Sequence, residues 1–551
     1  MFKIFALISA FGFLLACQSS PSDSGGGSDN AGLDAIDAGS LMERIVYLSS
    51  DELEGRAPGT EGEQKTVQYL TGELERLGLA PGNPDGTYTQ KVPLVGITPN
   101  EDMKLTFRRD GQERVLEPGK DYTASTKRVV DQVNLDAEVV FVGYGVVAPE
   151  YDWNDFKDVD VKDKVLVILV NDPPVEGLFG GKAMTYYGRW TYKFEKAAEL
   201  GAAGALVIHE TGPAGYPWEV VGSGWLREQF DLVTPNKNMD RVAVEGWITS
   251  DQAKALFEMA GLDFEAQKAA AAERSFRPVP LNVRAQTEIR NTFRTIDSQN
   301  LVAKVEGREA PDEVVIYSAH WDHLGKDPSL SGDQIFNGAK DNASGTAGLL
   351  EIAEAFSRLE QPPRRSVLFL AVTAEEQGLL GSRYYAENPL YPPEKTVAAI
   401  NMDGLNVYGR TGDLTVIGMG QSSLDRIAAD VAKEQGRVLR PDPEPEKGFY
   451  YRSDHFEFAK VGIPAFDPDA GVDFVGKPEG YGIEMRQKYT AEDYHKPSDE
   501  VKDYWDLSGA VEDLKLFYLM GYRLATGSEW PEWSDTSEFR AKRHRAESSS
   551  E

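Results

Sequence analysis

Cysteine is almost absent from this sequence, because its 551 residues include only one, Cys17. A lone cysteine excludes an intramolecular disulfide framework, and its position near the N-terminus leaves the rest of the chain without a thiol nucleophile or thiolate ligand. Basic residues are in deficit, since 58 Lys and Arg accompany 89 Asp and Glu, for a formal net charge of −31. Such a surface repels nucleic acid, so we expect no nucleic-acid partner. Neither a Gly-x-Ser-x-Gly elbow nor a phosphate-binding loop stands out.

A long apolar run lies at the N-terminus and ends at Cys17. Residues 4–15 are apolar almost without interruption, a length too short to span a bilayer but typical of a signal-peptide core. The small residue before Cys17 resembles the end of a bacterial lipobox, which implies cleavage there and acylation of the thiol. We therefore predict a signal peptide over residues 1–17 and a lipid-anchored protein of the cell envelope. The residue after Cys17 is Gln18 and not aspartate, which by resemblance to the sorting rule of Gram-negative lipoproteins favours the outer membrane. Plain secretion is the alternative.

The length of the chain exceeds that of one ordinary core, so we expect two domains or one domain with a large insert. Residues 18–33 have almost nothing to bury and predict a flexible tether. Residues 34–130 and 283–530 are interpreted as two parts of the main domain. Residues 131–282 are interpreted as a compact β-rich insert, and residues 531–551 as a polar tail.

From residue 314 onward, the pattern alternates between strands and helices. Residues 366–372 form a continuous apolar run, typical of a strand buried on both faces, and the runs at 314–318 and 396–400 are similar. Residues 349–356 carry apolar side chains at helical spacing, and residues 507–524 predict a closing helix. This alternation predicts an α/β sheet with helices on both faces.

Each of the three predicted strands runs directly into a polar segment, and two more polar segments lie in the same half of the chain. In open α/β sheets, ligands bind at the carboxyl ends of the strands. The candidate residues in these segments are His320, Asp341, Glu375, Glu376, Asp403 and His495.

Each candidate taken alone has a simple structural explanation. Asp341 could cap a helix, Glu375 and Glu376 could be a solvated helix start, and Asp403 could belong to a turn. Together, carboxylates that converge at strand ends would repel one another, so we expect a cation between them. Histidines combined with carboxylates suit zinc, which takes nitrogen and oxygen ligands and leaves a position for water.

The order and spacing of these segments resemble the co-catalytic dizinc aminopeptidase and glutamate carboxypeptidase family, metallopeptidase family 28 of clan MH. The resemblance includes residues 50–60, Ser-Asp-Glu-Leu-Glu-Gly-Arg-Ala-Pro-Gly-Thr, and covers most of the chain after the tether. It implies a zinc exopeptidase fold with a mixed, mainly parallel central sheet flanked by helices. The insert resembles a protease-associated domain at residues 142–145, 164–170 and 197–207.

The resemblance also implies two Zn²⁺ ions and the residues that bind them. Asp341 would bridge both ions, His320 and Asp403 would complete one site, and Glu376 and His495 would complete the other. His323 and His455 are not expected to be ligands.

Three further residues would act in catalysis if the resemblance holds. Glu375 would be the general base that generates a metal-bound hydroxide, and Tyr494 would offer its hydroxyl to the oxyanion. Asp322 would orient His320 through a hydrogen bond, as metal-binding histidines usually require. The peptide bond between Asp341 and the next residue would be cis.

The function implied is an exo-acting aminopeptidase that hydrolyses N-terminal residues from peptides. A carboxypeptidase or dipeptidase on the same dizinc scaffold is the main alternative. Such an enzyme would need a cationic pocket for the carboxylate of the substrate, and Arg452 is the candidate for that pocket. Glutaminyl cyclase activity, which uses one zinc, and an inactive binding protein are further alternatives. The last would be expected to lack ligands, and all five ligand positions are present. The motifs leave side-chain preference, native metal and oligomeric state open.

Overall fold

The computed structural model describes residues 32–100, 102–225 and 227–543. The predicted signal peptide, Cys17 and the tether up to residue 31 lie outside these ranges, as do residues 544–551. Across the described ranges, no helix is both long enough and apolar enough to cross a bilayer.

Strands and helices alternate along the described chain. The strands are β1 (Ala80–Pro81), β2 (Thr89–Pro99), β3 (Leu105–Arg109), β4 (Gln112–Leu116), β5 (Tyr122–Ser125), β6 (Gln132–Phe141), β7 (Val147–Ala148), β8 (Trp153–Asn154), β9 (Val165–Leu169), β10 (Gly204–His209), β11 (Gln229–Leu232), β12 (Val244–Thr249), β13 (Val279–Val305), β14 (Ala310–His320), β15 (Gly325–Lys326), β16 (Ile335–Phe336), β17 (Arg365–Val372), β18 (Thr396–Asn401), β19 (Asp413–Ile417), β20 (Val438–Pro441) and β21 (Ala465–Asp469). The helices are α1 (Ala38–Leu48), α2 (Glu61–Arg76), α3 (Trp190–Glu199), α4 (Thr211–Ala214), α5 (Trp218–Gly224), α6 (Ser250–Met259), α7 (Phe264–Ala271), α8 (Gly345–Ser357), α9 (Leu380–Glu387), α10 (Leu424–Glu434), α11 (His455–Lys460), α12 (Tyr481–Glu492) and α13 (Ser508–Thr526).

Parallel strands form the centre of the main sheet. β14 lies between β17 and β18, and β21 lies beside β18, with all three pairings parallel. β13 is antiparallel to β17, and β2 is antiparallel to β13. β17 and β18 are buried along their whole length, as their continuous apolar runs predicted. The mixed, mainly parallel α/β sheet is therefore confirmed.

Helices cover both faces of this sheet. In β17, Val367 and Phe369 belong to a core with α8 and α13, whereas Leu368 and Leu370 belong to a second core with α9 and α11. Successive side chains of a strand point to opposite faces, so an uninterrupted apolar strand requires a helical layer on each side.

The middle unit has a sheet and a core of its own. β6, β9, β10 and β12 are parallel neighbours in that order. β3 pairs with β4 and β13, and β5 pairs with β12, so these strands belong to the same sheet. Met103 and Phe107 are buried in this core. The unit therefore begins near residue 103, earlier than the predicted boundary at 131, because β3–β5 find their partners within it. Its assignment as a protease-associated domain stays a prediction.

One strand connects the two units. β13 is 27 residues long. Its first part pairs with β6 and β3 in the middle unit, and its later part pairs with β2 and β17 in the main domain. The middle unit is thus joined to the edge of the main sheet by continuous backbone.

The predicted polar tail differs from the structure over residues 531–543. Trp533 and Phe539 are buried at 4% and 5% exposure and pack with Tyr450, Tyr451 and neighbouring apolar residues. These aromatic side chains are isolated among polar residues, so the local pattern carried no sign of their burial.

Arg56, in the 50–60 segment that the sequence singled out, is buried and holds several loops together. Its Nε donates to the carbonyl of Trp321 at 2.9 Å, and its Nη1 donates to those of Asn337 at 2.6 Å and Leu48. Its Nη2 donates to the carbonyl of Gly338 at 3.1 Å. This one guanidinium therefore satisfies main-chain groups of three separate segments.

We expect Arg56→Met to lower the stability strongly. The substitution leaves four buried carbonyl groups without this donor, and each unsatisfied group costs about 1–3 kcal/mol. The free energy of unfolding should fall by at least about 3 kcal/mol, measured from urea unfolding curves. Arg76→Met is the control, because Arg76 is 54% exposed and forms a surface pair with Glu73. Equal losses in the two variants would contradict the role of Arg56.

Candidate metal centre

Four of the six candidate residues lie at or just after the carboxyl ends of β14, β17 and β18, whereas Asp341 precedes α8 and His495 follows α12. His320 of β14 is in register with Val372 of β17, and the end of β14 also pairs with Asn401 of β18. Glu375 and Asp403 follow these strands closely, so both lie at the same edge of the sheet. This is the edge at which open α/β sheets bind ligands.

His320, Asp341 and Asp403 form a first group of possible metal ligands. Nε2 of His320 lies 3.3 Å from Oδ1 of Asp341 and 3.2 Å from Oδ1 of Asp403. The three donor atoms all lie within 4.8 Å of one another. These are the residues that the sequence analysis assigned to one ion.

A second group forms around the other oxygen of Asp341. Nε2 of His495 lies 3.3 Å from Oδ2 of Asp341 and 3.0 Å from Oε2 of Glu376. Nδ1 of His323 lies 2.5 Å from Oε1 of Glu376, and His323, Asp341 and Glu376 have donor atoms within 4.8 Å of one another. His323, which was not expected to be a ligand, is thus a competitor to His495 in this group. His455 belongs to neither group.

Carboxylates surround the histidines of both groups. Burial opposes a charged imidazole at His320, but Glu375 and Asp403 outweigh it and raise the pKa of His320 well above its usual value. Burial also opposes the charge of His495, yet Glu376 and its neighbours raise the pKa of His495 to about 10. Divalent cations bound to neutral imidazoles would compensate the same carboxylates. The donor set therefore fits two metal ions that share one aspartate, and nitrogen with oxygen donors suits zinc.

Glu375 lies beside the first group without joining it. Its Oε2 is 4.0 Å from Nε2 of His320, and its backbone N–H donates to Oδ1 of Asp322 at 3.1 Å. Burial, reinforced by Asp403 and Glu376 against the opposing charge of His320, raises the pKa of Glu375 well above its usual value. A carboxyl group in this position can accept and hold a proton, which is the property that a general base needs.

Asp322 contacts His320 differently from the prediction. Nδ1 of His320 lies 3.1 Å from the backbone carbonyl oxygen of Asp322 and 3.8 Å from its carboxylate Oδ1. The carboxylate accepts the N–H of Glu375 instead. The main chain of Asp322 is therefore the nearer partner of the imidazole, a distinction that residue type alone cannot make.

Two supporting residues were missed by the sequence analysis. Ser453 donates its hydroxyl to Oδ2 of Asp403 at 2.6 Å. Asp499 accepts the backbone N–H groups of Lys340 and Asp341, each at 3.1 Å. Asp499 ends the polar segment that contains His495, which was its only signal, whereas nothing in the sequence marks Ser453.

The peptide bond between Asp341 and Asn342 is cis, as the family resemblance implied. The Asn342 side chain accepts the N–H groups of Gly345 and Gly404, both at 2.9 Å, and donates to the carbonyl of Met402 at 2.9 Å. Asn342 thus ties the segment of the shared aspartate to the segment that carries Asp403.

A cavity of about 530 Å³ opens beside the two groups, with Asp341, Glu375 and Asp403 in its wall. Tyr494 also lines it and stacks on His495, with ring centroids 3.8 Å apart. Tyr216 of the middle unit contributes to the same wall. The two units therefore share one cavity, which is large enough for part of a peptide.

We expect zinc to stabilise the chelator-treated protein through both groups. Zinc at about a hundredfold excess over its dissociation constant should add about 2.7 kcal/mol for each bound ion, measured as a rise in Tm. Elemental analysis should find two zinc ions per chain. Asp341→Asn should lose most of both effects, because Asp341 contributes one oxygen to each group. Asp136→Asn is the control, since Asp136 is 57% exposed. Two tightly bound zinc ions in Asp341→Asn would contradict the shared role.

Comparison with known proteins matches the region that contains these groups. The model of "Peptidase family M28" matches residues 300–518. The mouse (Mus musculus) protein "Aminopeptidase NAALADL1" is 32% identical over 160 residues, which cover 28% of this chain and 20% of the mouse protein. A "Probable zinc metalloprotease" of Pyrenophora teres f. teres is 30% identical over 172 residues, which cover 31% of this chain and 32% of that protein. The aligned segments thus span a third or less of these relatives' length.

A solved structure resembles nearly the whole chain. The "Aminopeptidase from Aneurinibacillus sp. strain AM-1" superposes with a TM-score of 0.52 at 20% sequence identity, covering 91% of this chain and 97% of that one. This likeness shows a shared fold. Residues 300–518, which contain the residues of both ligand groups, are similar in sequence to peptidase family M28.

Proposed function

We propose that the protein is a zinc-dependent aminopeptidase that removes N-terminal residues from peptides. The observation that carries this proposal is a pair of ligand groups that share Asp341, with the carboxyl of Glu375 beside them in a cavity wall. The match to family M28 and the similarity to a relative named as an aminopeptidase support it.

The proposed reaction is hydrolysis of a peptide bond. Two zinc ions held by the two groups would polarise the scissile carbonyl and lower the pKa of a water molecule. Glu375 takes the proton of the attacking water and passes it to the departing amine. The hydrogen bond from its N–H to Asp322 holds its backbone in place, and burial favours the protonated carboxyl between the two transfers.

Tyr494 supplies a hydrogen-bond donor in this mechanism. Its side chain lines the cavity and stacks on His495. Burial raises the pKa of Tyr494 well above its usual value, so its hydroxyl keeps its proton at neutral pH. The hydroxyl donates to the oxygen of the scissile carbonyl as negative charge develops there.

A carboxypeptidase or dipeptidase on the same centre is the second candidate. One observation favours it: Arg452 lines the cavity and pairs with no carboxylate of the described residues. A panel of dipeptides blocked at either end separates the candidates. Cleavage that needs a free N-terminus supports the aminopeptidase, and cleavage of N-acetylated peptides that needs a free C-terminus supports the second candidate.

We also propose that the mature protein is anchored in the cell envelope by a lipid on Cys17, for which the N-terminal apolar run is the support. A labelled fatty acid should be incorporated into the full chain, and Cys17→Ser should abolish that label because it removes the acylated thiol. Both proteins are expressed in a bacterium with the labelled fatty acid, and the label in each is measured after membrane fractionation. Equal labelling of the two proteins would contradict the anchor.

Glu375→Gln should retain zinc and lose turnover. The amide keeps the shape of the side chain but cannot take a proton, so we expect kcat to fall by about 10²–10⁴-fold. Hydrolysis of an aminoacyl-nitroanilide measures the rate, and elemental analysis measures the zinc. Glu387→Gln is the matched control, since Glu387 is 51% exposed and pairs with Arg383. Near-normal kcat in zinc-loaded Glu375→Gln would remove Glu375 from the mechanism.

A further inference from the structure

Asp499 binds the main chain of the segment that carries Asp341. Its carbonyl oxygen accepts the N–H of Ala339 at 2.9 Å, its Oδ1 accepts that of Lys340 at 3.1 Å, and its Oδ2 accepts that of Asp341 at 3.1 Å. Asp499 is 1% exposed, so these hydrogen bonds are shielded from water and strengthened by their surroundings. Successive N–H groups are therefore fixed by one residue, which follows His495 in the same polar segment.

Tyr489, near the C-terminal end of α12, binds the same carboxylate. Its hydroxyl donates to Oδ2 of Asp499 at 3.1 Å. Burial, with the charges of Asp499 and Asp341, raises the pKa of Tyr489 well above its usual value, so the hydroxyl keeps its proton and is the donor. The ammonium group of Lys340 lies over the Tyr489 ring, 4.5 Å from its centroid, an attraction that favours this ring position. Tyr489 is thus joined both to the carboxylate and to the segment that the carboxylate binds.

The main chain of Tyr489 also fixes the turn that leads to His495. Its carbonyl oxygen accepts the N–H groups of Asp493 and Tyr494, both at 2.9 Å. His495 itself has a φ of +57°, in the left-handed region that non-glycine residues seldom adopt. Such a backbone conformation persists only where surrounding contacts enforce it. Tyr489 and Asp499 bind each other from either side of His495 in the chain, and we call the segment that they close the 489–499 loop.

The first ligand group is fixed by different contacts. Asn342 joins the segment of Asp341 to that of Asp403 through two hydrogen bonds of 2.9 Å. Neither bond involves Tyr489 or Asp499. The histidine at the end of α12, in contrast, is joined to the segment of the shared aspartate by the contacts of the 489–499 loop. Loss of the Tyr489 hydroxyl should therefore loosen the second group more than the first.

We propose that Tyr489 and Asp499 are positioning residues that hold His495 against Asp341 and so set the zinc affinity of the second group. This inference rests on the proposed function, because it takes the two groups to bind zinc. Nε2 of His495 lies 3.3 Å from Oδ2 of Asp341, a separation that suits two ligands of one zinc ion, each about 2.0–2.2 Å from it. Any drift of the histidine weakens that match.

Tyr489→Phe removes the hydroxyl alone. The full chain is stripped with a chelator and titrated with zinc against a coloured competing chelator, which gives two dissociation constants. In the variant, one constant should rise by about 10–100-fold, the usual effect of losing a hydrogen bond that orients a metal ligand. The other should change little, because Asn342 still holds the first group. Tyr504→Phe is the matched control, since Tyr504 is 55% exposed.

Asp499→Asn tests the other member of the pair. It should act in the same direction as Tyr489→Phe, because an amide N–H would face a backbone N–H that a carboxylate oxygen now accepts. If Asp499→Asn fails to fold, Tyr489→Phe still decides, since it removes one oxygen atom and leaves the buried carboxylate in place. Asp503→Asn is the control, because Asp503 is exposed.

A second background assigns the weakened ion to the second group. His495→Ala should weaken one zinc ion, and adding Tyr489→Phe to it should weaken neither ion much further, because Tyr489 acts through His495. Cobalt in place of zinc gives a spectroscopic check. The visible absorption of Co²⁺ depends on the number and arrangement of its ligands, so only one of the two bound ions should change its spectrum in Tyr489→Phe.

The outcomes separate this inference from the proposed function. Unchanged dissociation constants in Tyr489→Phe overturn the positioning role and leave the zinc centre in place. Equal weakening of both ions also overturns it, because a general loss of structure would act on both groups. A further loss of affinity when Tyr489→Phe is added to His495→Ala reveals an effect that bypasses His495 and overturns it as well. A wild-type chain that binds no zinc refutes the proposed function, and this inference with it.

Discussion

The candidate site depends on a buried carboxylate, Asp341, that must be neutralised from two sides. Its Oδ1 and Oδ2 each lie 3.3 Å from the Nε2 atom of a different histidine, His320 and His495. Burial opposes the negative charge, so the histidines that contact Asp341 are needed to hold its pKa well below the usual value. Two metal ions would supply the same compensation more completely. Asp403 and Glu376 are the further candidate ligands, and each belongs to one of the two groups only.

Several contacts elsewhere in the fold hold the segments of the candidate ligands in place relative to one another. Arg56 binds the carbonyl groups of Trp321 and Gly338, which lie next to segments of the centre, and Asp499 receives the N–H of Asp341 itself. The long strand β13 belongs to both sheets. The middle unit can therefore contribute a wall of the cavity, including Tyr216, without a flexible linker between that wall and the ligands.

Much of this arrangement could be predicted from local patterns. The apolar runs of β17 and β18 predicted strands buried on both faces, and the polar residues directly after them predicted the position of the site. The membership of β3–β5 in the middle unit could not be predicted, because the local sequence of a strand does not specify which other strand it pairs with. The burial of Trp533 and the approach of His323 to Glu376 were also missed, because each depends on contacts between segments that are distant in the sequence.

Local sequence patterns were enough to predict which residue types make up the candidate centre, their order along the chain and the elements that carry them. These are local properties, readable from periodicity and from the polar residues at the end of each strand. Three contacts, in contrast, arise from the packing of the whole chain. Asp341 lies between two histidines, His320 contacts the main chain of Asp322, and Tyr186 of the middle unit packs against Tyr451. Such contacts join distant segments, and their distances are set by how whole sheets and helices pack, which no local pattern encodes.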